Sequence, residues 1–214
     1  MTAVDITLYA IPFSTNVERV ALAMAHKGLG AEVVMLDAGD RSQAVAISGQ
    51  PLVPVVVLDG QVLVDSSHII DVLEGRVPDP PLFPRAAARR AEVRLFVDWF
   101  NRVWKRPPNE LADLLTAPSA DPTTLGRLQA EMRASLNVFE QLLDGRDHLA
   151  GDEFSAADCA AFPFLKYGLR LGMSNDDDEP FHHVLADNLA LGDGYPRLAA
   201  WLRRVDQRPR VAGI

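Results

Sequence analysis

The chain has 214 residues, 48% of them hydrophobic, and its 29 acidic against 21 basic side chains give a net charge of −8. That length buries one large core or two modest ones and that apolar share excludes a disordered chain, while the acidic balance argues against a nucleic-acid partner, which needs clustered cations. A single cysteine, Cys159, excludes an internal disulfide framework; with no signal-peptide pattern at Met1 and no apolar run long enough to span a bilayer, a cytoplasmic protein without a membrane partner is expected.

Ile6–Ala10 is a short apolar run interspersed with Thr7 and Tyr9, which suits a buried strand, and Pro12 ends it. Val17, Val20, Ala21 and Met24 then fall at helical spacing. Thr15 and Glu18 have the spacing of a capping box and Gly28 supplies a stop, so a helix over 15–27 is predicted. A second strand over 32–36 and a short or irregular helix over 41–47 follow. Two apolar runs flank Asp59-Gly60, a pair suited to the positive φ angles of a two-residue hairpin turn, which predicts antiparallel strands Val55–Leu58 and Gln61–Val64. Pro54 cannot donate to a ladder, so it belongs at the start of its strand, where its bond is a candidate for the cis form and the Val53 backbone is exposed. Asp65-Ser66 ends the hairpin, with the Ser66 hydroxyl placed to cap a helix carrying Ile69, Ile70, Val72 and Leu73. The order is β-α-β-α-β-β-α.

Pro78, Pro80, Pro81 and Pro84 exclude regular structure through their segment. The predicted plan is therefore an α/β domain over 1–77, a linker over 78–84 and an all-α domain over 85–214. In the last, helical patterns run over 86–103 with an interruption at Pro107-Pro108, over 124–143 and over 155–171; 185–191 and 198–205 are shorter candidates. The acidic run at 176–179 reads as a solvated loop.

Four pieces of the chain, in this order and spacing, resemble a glutathione S-transferase: Leu8-Tyr9 followed by Pro12-Phe13-Ser14 and Arg19-Val20; Val53-Pro54; Asp65-Ser66 with Ile69-Ile70 and Leu73-Glu74; and Ser155-Ala156-Ala157-Asp158. The resemblance implies a cytosolic-type enzyme with serine at the catalytic position, a thioredoxin-like N-terminal domain, an all-helical C-terminal domain and a homodimer. It aligns Ser14 with the residue that contacts the glutathione sulfur. A hydroxyl at a helix N-terminus, where unpaired N–H groups favour an anion, suits that role; Ser14 or Thr15 is otherwise a plain helix cap. The resemblance gives Val53 a backbone contact to the cysteinyl part of glutathione, Asp65 the γ-glutamyl ammonium and Ser66 its carboxylate. Leu52 departs from the family, which often carries Lys, Arg or Gln there to hold the glycyl carboxylate; Arg41, Gln43 or Gln50 are the available substitutes.

Phe13, Trp99, Trp104 and Pro107 are candidates for the pocket of the second substrate, since the long helix after the linker faces the glutathione site in this family; Phe13 and Trp104 lead. Ser155 to Asp158 is a folding element in either reading, and Cys159 a small core residue. The five histidines, His26, His68, His148, His182 and His183, form no metal spacing, so no metal is expected. The expected function is detoxifying conjugation of glutathione thiolate to a hydrophobic electrophile, with glutathione-dependent isomerisation or dehalogenation, or a transferase-like binding protein that lost glutathione, as alternatives.

Overall fold

A computed structural model describes residues 5–117, 119, 121–174 and 179–214. The chain divides into two compact units, Met1–Arg85 with Arg208–Ile214, and Ala86–Gln207. Most of the acidic run at 176–179 lies outside the described residues.

The first unit is a four-stranded sheet of β1 (Ile6–Ala10), β2 (Glu32–Met35), β3 (Val55–Leu58) and β4 (Gln61–Val64), in the order β2-β1-β3-β4. β1 and β2 are parallel; β1 and β3, and β3 and β4, are antiparallel. Ile6, Leu8 and Ala10 alternate onto one face of β1 and share a core with Val56 and Leu58. Helices α1 (Thr15–His26) and α3 (Ser66–Arg76) cover that face with Val17, Val20 and Met24 and with Ile69 and Leu73. The hairpin turn has Asp59 at φ 48° and Gly60 at φ 82°, the left-handed pair its sequence predicts. Helix α2 (Ser42–Ser48) joins β2 to β3, and the Val53–Pro54 bond is cis.

Two caps differ from the sequence expectation. Helix α1 is capped by Ser14, whose Oγ accepts from the Val17 N–H at 3.3 Å, and Glu18 instead pairs with Arg210 at 2.8 Å. Helix α3 is capped by Asp65, whose Oδ1 accepts from the N–H groups of Ser67 and His68 at 2.9 and 3.0 Å, so Ser66 is the first helical residue. A carboxylate is the stronger acceptor for two amides.

The segment 78–84 is tied to the first unit by a buried charge pair. Lys27 Nζ, fully buried, bonds Glu74 and donates to the Pro80 carbonyl at 2.7 Å, while Glu74 accepts from the Leu82 and Phe83 N–H groups at 3.0 and 3.3 Å. Residues 208–214 also return to this unit: Val211 joins its core and donates to the Ala21 carbonyl at 3.3 Å.

The second unit is helical: α4 (Ala87–Trp99), a π-helical turn (Phe100–Trp104), α5 (Arg106–Thr116), α6 (Pro122–Leu142), α7 (Ala156–Leu165), α8 (Pro180–Asn188) and α9 (Pro196–Asp206). The helical run from Ala87 ends at Trp104, just before Pro107 and Pro108, where the sequence expects an interruption; the two prolines then sit in the first turn of α5, where the missing N–H groups have no intrahelical partner. Helix α7 opens on the capping box of Ser155 and Asp158 that the sequence predicts. Cys159 is buried in the same helix.

Candidate functional site

Every segment that the sequence marked as chemical leaves the first unit's sheet at one end. Tyr9 is opposite Val55, Val55 is opposite Val64, and Ala10 lies beside Met35 in the parallel pair. Ser14 after β1, the 36–41 segment after β2, Val53 before β3 and Asp65-Ser66 after β4 therefore share that end. The register of three strand pairs makes this placement.

Ser14 is half-buried. Its oxygen uses one lone pair on the Val17 amide, which leaves the hydroxyl hydrogen to donate outward. The cap and the proposed thiol contact are thus compatible in one side chain. Phe13 precedes it at φ 61° and is 69% exposed. A bulky residue in the left-handed region is uncommon and turns the chain sharply just before Ser14.

Among the described residues the Val53 main chain makes no hydrogen bond, so both its N–H and its carbonyl remain for an added extended peptide. Asp65 spends Oδ1 on two amides and keeps Oδ2. Ser66 is buried, and its oxygen lies 3.5 Å from Nη1 of Arg19. Arg19 itself is only 1% exposed, a cation buried behind the N-terminus of α3. In the sequence Arg19 belongs to the Arg19-Val20 pair of the family resemblance and has no assigned role. The signal was present: a guanidinium sits between Val17 and Val20 on a helix whose neighbours are all core. Its charge and the helix N-terminus together favour an anion at Ser66.

Leu52 is 66% exposed and carries no polar side-chain atom; its carbonyl lies 3.5 Å from Nε2 of Gln50. The 36–41 segment ends in Asp40 and Arg41, and the Ser42 amide holds the Asp40 carboxyl below its ordinary value.

In the second unit Trp104 is a core residue. Its ring stacks on Phe100 at 4.4 Å, meets Phe139 and Phe164 edge-on, and donates from Nε1 to Ser135 Oγ at 2.9 Å. Pro107 is buried too. Trp99 instead helps line, with Leu95, Phe96 and Val138, an apolar pocket of about 340 Å³ within this unit. Among the described residues no group of His, Cys, Asp and Glu is arranged to hold a metal ion, and no helix is long and apolar enough to cross a membrane.

A thioredoxin-like four-stranded unit followed by an all-α unit defines a two-domain fold class. The chain belongs to the glutathione S-transferase family, whose N-terminal domain model matches residues 8–81 and whose C-terminal domain model matches residues 114–209. It is 30% identical over 175 residues to FtsZ-localized protein A of Caulobacter vibrioides, covering 76% of this chain and 77% of that one. Glutathione transferase omega-1 of Caenorhabditis elegans is 26% identical over 200 residues, 92% of this chain and 76% of that one. Among solved structures, a glutathione S-transferase from Rhodospirillum rubrum superposes with a TM-score of 0.72 at 29% identity, over 95% of this chain and 89% of that chain.

Proposed function

We propose that the protein is a glutathione transferase in which Ser14 donates a hydrogen bond to the glutathione thiolate and so prepares it to attack a hydrophobic electrophile. The observation that carries this is the Ser14 hydroxyl: its oxygen is engaged as a cap and its hydrogen is left to donate, at the end of the sheet where Val53 and Asp65-Ser66 also emerge. Val53 takes the cysteinyl backbone, Asp65 Oδ2 the γ-glutamyl ammonium and Ser66 the adjoining carboxylate. Phe13 offers its exposed ring to the electrophile. Trp104, held inside the helical unit, acts through the shape of that unit's core. The enzyme works as a cytoplasmic homodimer without a metal, in detoxification.

A hydrogen bond to a charged group contributes about 1.5 to 3 kcal/mol, so its loss raises the bound thiol pKa by about one to two units. For a bound thiol that titrates at the assay pH, the fall in thiolate fraction is partly offset by the greater nucleophilicity of the more basic thiolate, leaving a net loss of about two- to six-fold. Ser14→Ala therefore lowers kcat/KM for an aryl halide by that factor and moves its pH profile upward. An unmoved profile would show that Ser14 is a cap and nothing more.

The second reading is a transferase-like binding protein with weakened glutathione affinity. Leu52 favours it, and so does the relative whose name places it with FtsZ. Calorimetric titration with glutathione separates the two, since the enzyme reading requires binding in the millimolar range or tighter.

A further inference from the structure

Residues 208–214 hold on to α1 along its length. The Val211 N–H donates to the Ala21 carbonyl at 3.3 Å, and Arg210 grips Glu18 Oε1 with Nε and Nη2 at 3.2 and 2.8 Å. Arg208 makes the remaining contact, to His26. The first two are ordinary packing and pairing, whereas the third depends on a titratable ring.

His26 stands in the last turn of α1, half-buried, with both ring nitrogens in use. Arg208 Nη2 lies 2.9 Å from Nδ1, and the Pro81 carbonyl oxygen lies 3.3 Å from Nε2. A guanidinium only donates and a carbonyl only accepts, so these partners together admit a single state of the ring, the neutral one with its proton on Nε2. The Nδ1 lone pair is then the one place left for a second proton, and Arg208 already holds it. Proton and guanidinium compete for the same electron pair. Once the ring is protonated, Nδ1–H faces a permanent cation across 2.9 Å and neither side can accept. The other charged groups facing the ring do not relieve this. Lys27, beside it on α1, is a further cation, and Glu74 on α3 is engaged by Lys27 and by the Leu82 and Phe83 amides. Burial is the largest influence on His26 and, with the charges of Arg208 and Lys27, holds its pKa below 6.5 against the raising effects of the Pro81 carbonyl and Glu74.

We propose that His26 is an acid-sensitive latch on residues 208–214: a solvent proton on Nδ1 expels Arg208, and the segment leaves α1 while the sheet stays folded. Val211 then withdraws from the core and Glu18 loses its cation, so the helix that begins after Ser14 is left without these tethers. The sign follows from the two states. Released, His26 is a solvated imidazole that titrates near 6.5; closed, it resists the proton. The closed state is therefore favoured above pH 6.5. Below that pH the released population grows by up to about ten-fold per pH unit, until the closed form itself takes up the proton.

Amide hydrogen exchange on the whole chain tests this without any ligand, so the outcome is independent of the glutathione reading. The Val211 amide reports the segment and the Leu8 amide, on a strand flanked by β2 and β3, reports the sheet. Both are corrected for the intrinsic exchange rate from about pH 7.5 to about pH 5. In wild-type protein Val211 exchanges at least about ten-fold faster than Leu8 throughout, and its protection falls by up to about ten-fold per unit as the pH drops below that of the free imidazole. In His26→Gln, whose amide can accept from Arg208 and donate to Pro81 but takes no proton, the fall disappears. In Arg208→Gln, which removes the competing cation, it shrinks. Level Val211 protection across the whole pH range overturns the proposal. So does equal exchange of Val211 and Leu8, because the segment then leaves only when the unit unfolds. A fall that persists in His26→Gln, or one as steep in Arg208→Gln as in wild type, overturns it as well.

Discussion

Asp158 offers the sharpest test of how the helical unit is held together. Its side chain is fully buried and accepts four hydrogen bonds. Oδ1 accepts from the Leu149 N–H at 3.1 Å and from Trp201 Nε1 at 2.8 Å; Oδ2 accepts from the Ser155 N–H at 2.9 Å and the Ser155 hydroxyl at 3.0 Å. One carboxylate thus joins the loop before α7, the first turn of α7 and the indole of α9. In Asp158→Asn one oxygen becomes an NH₂ group, and in either orientation that group faces at least one buried N–H. A buried donor without an acceptor costs about 1 to 3 kcal/mol. Since about 1 kcal/mol corresponds to about 2 to 4 °C for a chain of this size, the Asn variant should melt about 2 to 12 °C below wild type by circular dichroism. Asp158→Ala strands three donors at once, the Leu149 and Ser155 amides and the Trp201 indole. Its cost of about 3 to 9 kcal/mol rivals a whole domain's stability of about 5 to 15 kcal/mol. An Asn variant that melts with wild type would refute the claim that this carboxylate organises the unit.

Two further perturbations address other joints of the fold. Burial, with the charges of Arg208 and Lys27 nearby, pushes the His26 pKa below 6.5 against the raising effect of its bond to the Pro81 carbonyl. Because the folded value is depressed, His26 contributes stability above pH 6.5 that is lost as the pH falls through its folded pKa; the thermal midpoint should drop over that window, and His26→Gln should flatten the drop. At Gly168 a Cβ would stand 2.6 Å from the Leu189 carbonyl oxygen, so Gly168→Ala must displace backbone and should lower stability by about 1 to 3 kcal/mol in urea unfolding.

Most of the first unit was legible in its residues because its signals are local. Asp59-Gly60 specifies its own turn, and alternation in Ile6–Ala10 specifies its buried face. The caps of α1 and α3 lie one position before the residues the sequence favours, since Ser14 and Thr15, or Asp65 and Ser66, are equally suited by type and only the backbone angles decide between them. Pro107 and Pro108 mark the boundary between the π-helical turn and α5, because proline is accepted in a first turn and not inside a helix. Arg19 stands out in the chain as a cation among core positions of α1, whereas its neighbour Ser66 lies on a helix far away in sequence and only the fold brings the two together. The convergence of Ser14, Val53 and Asp65 likewise follows from strand register, which the resemblance to a family supplied and periodicity did not.

The return of residues 208–214 to the first unit makes the helical unit an insertion within it. On a ribosome, the sheet and its helices emerge early but lack Val211 in their core and Arg210 beside Glu18 until the entire helical unit has been synthesised. The nascent first unit therefore spends that interval incomplete. A ribosome stalled before Arg208 should display an α/β unit that is protease-sensitive, and addition of a peptide spanning 208–214 should protect it.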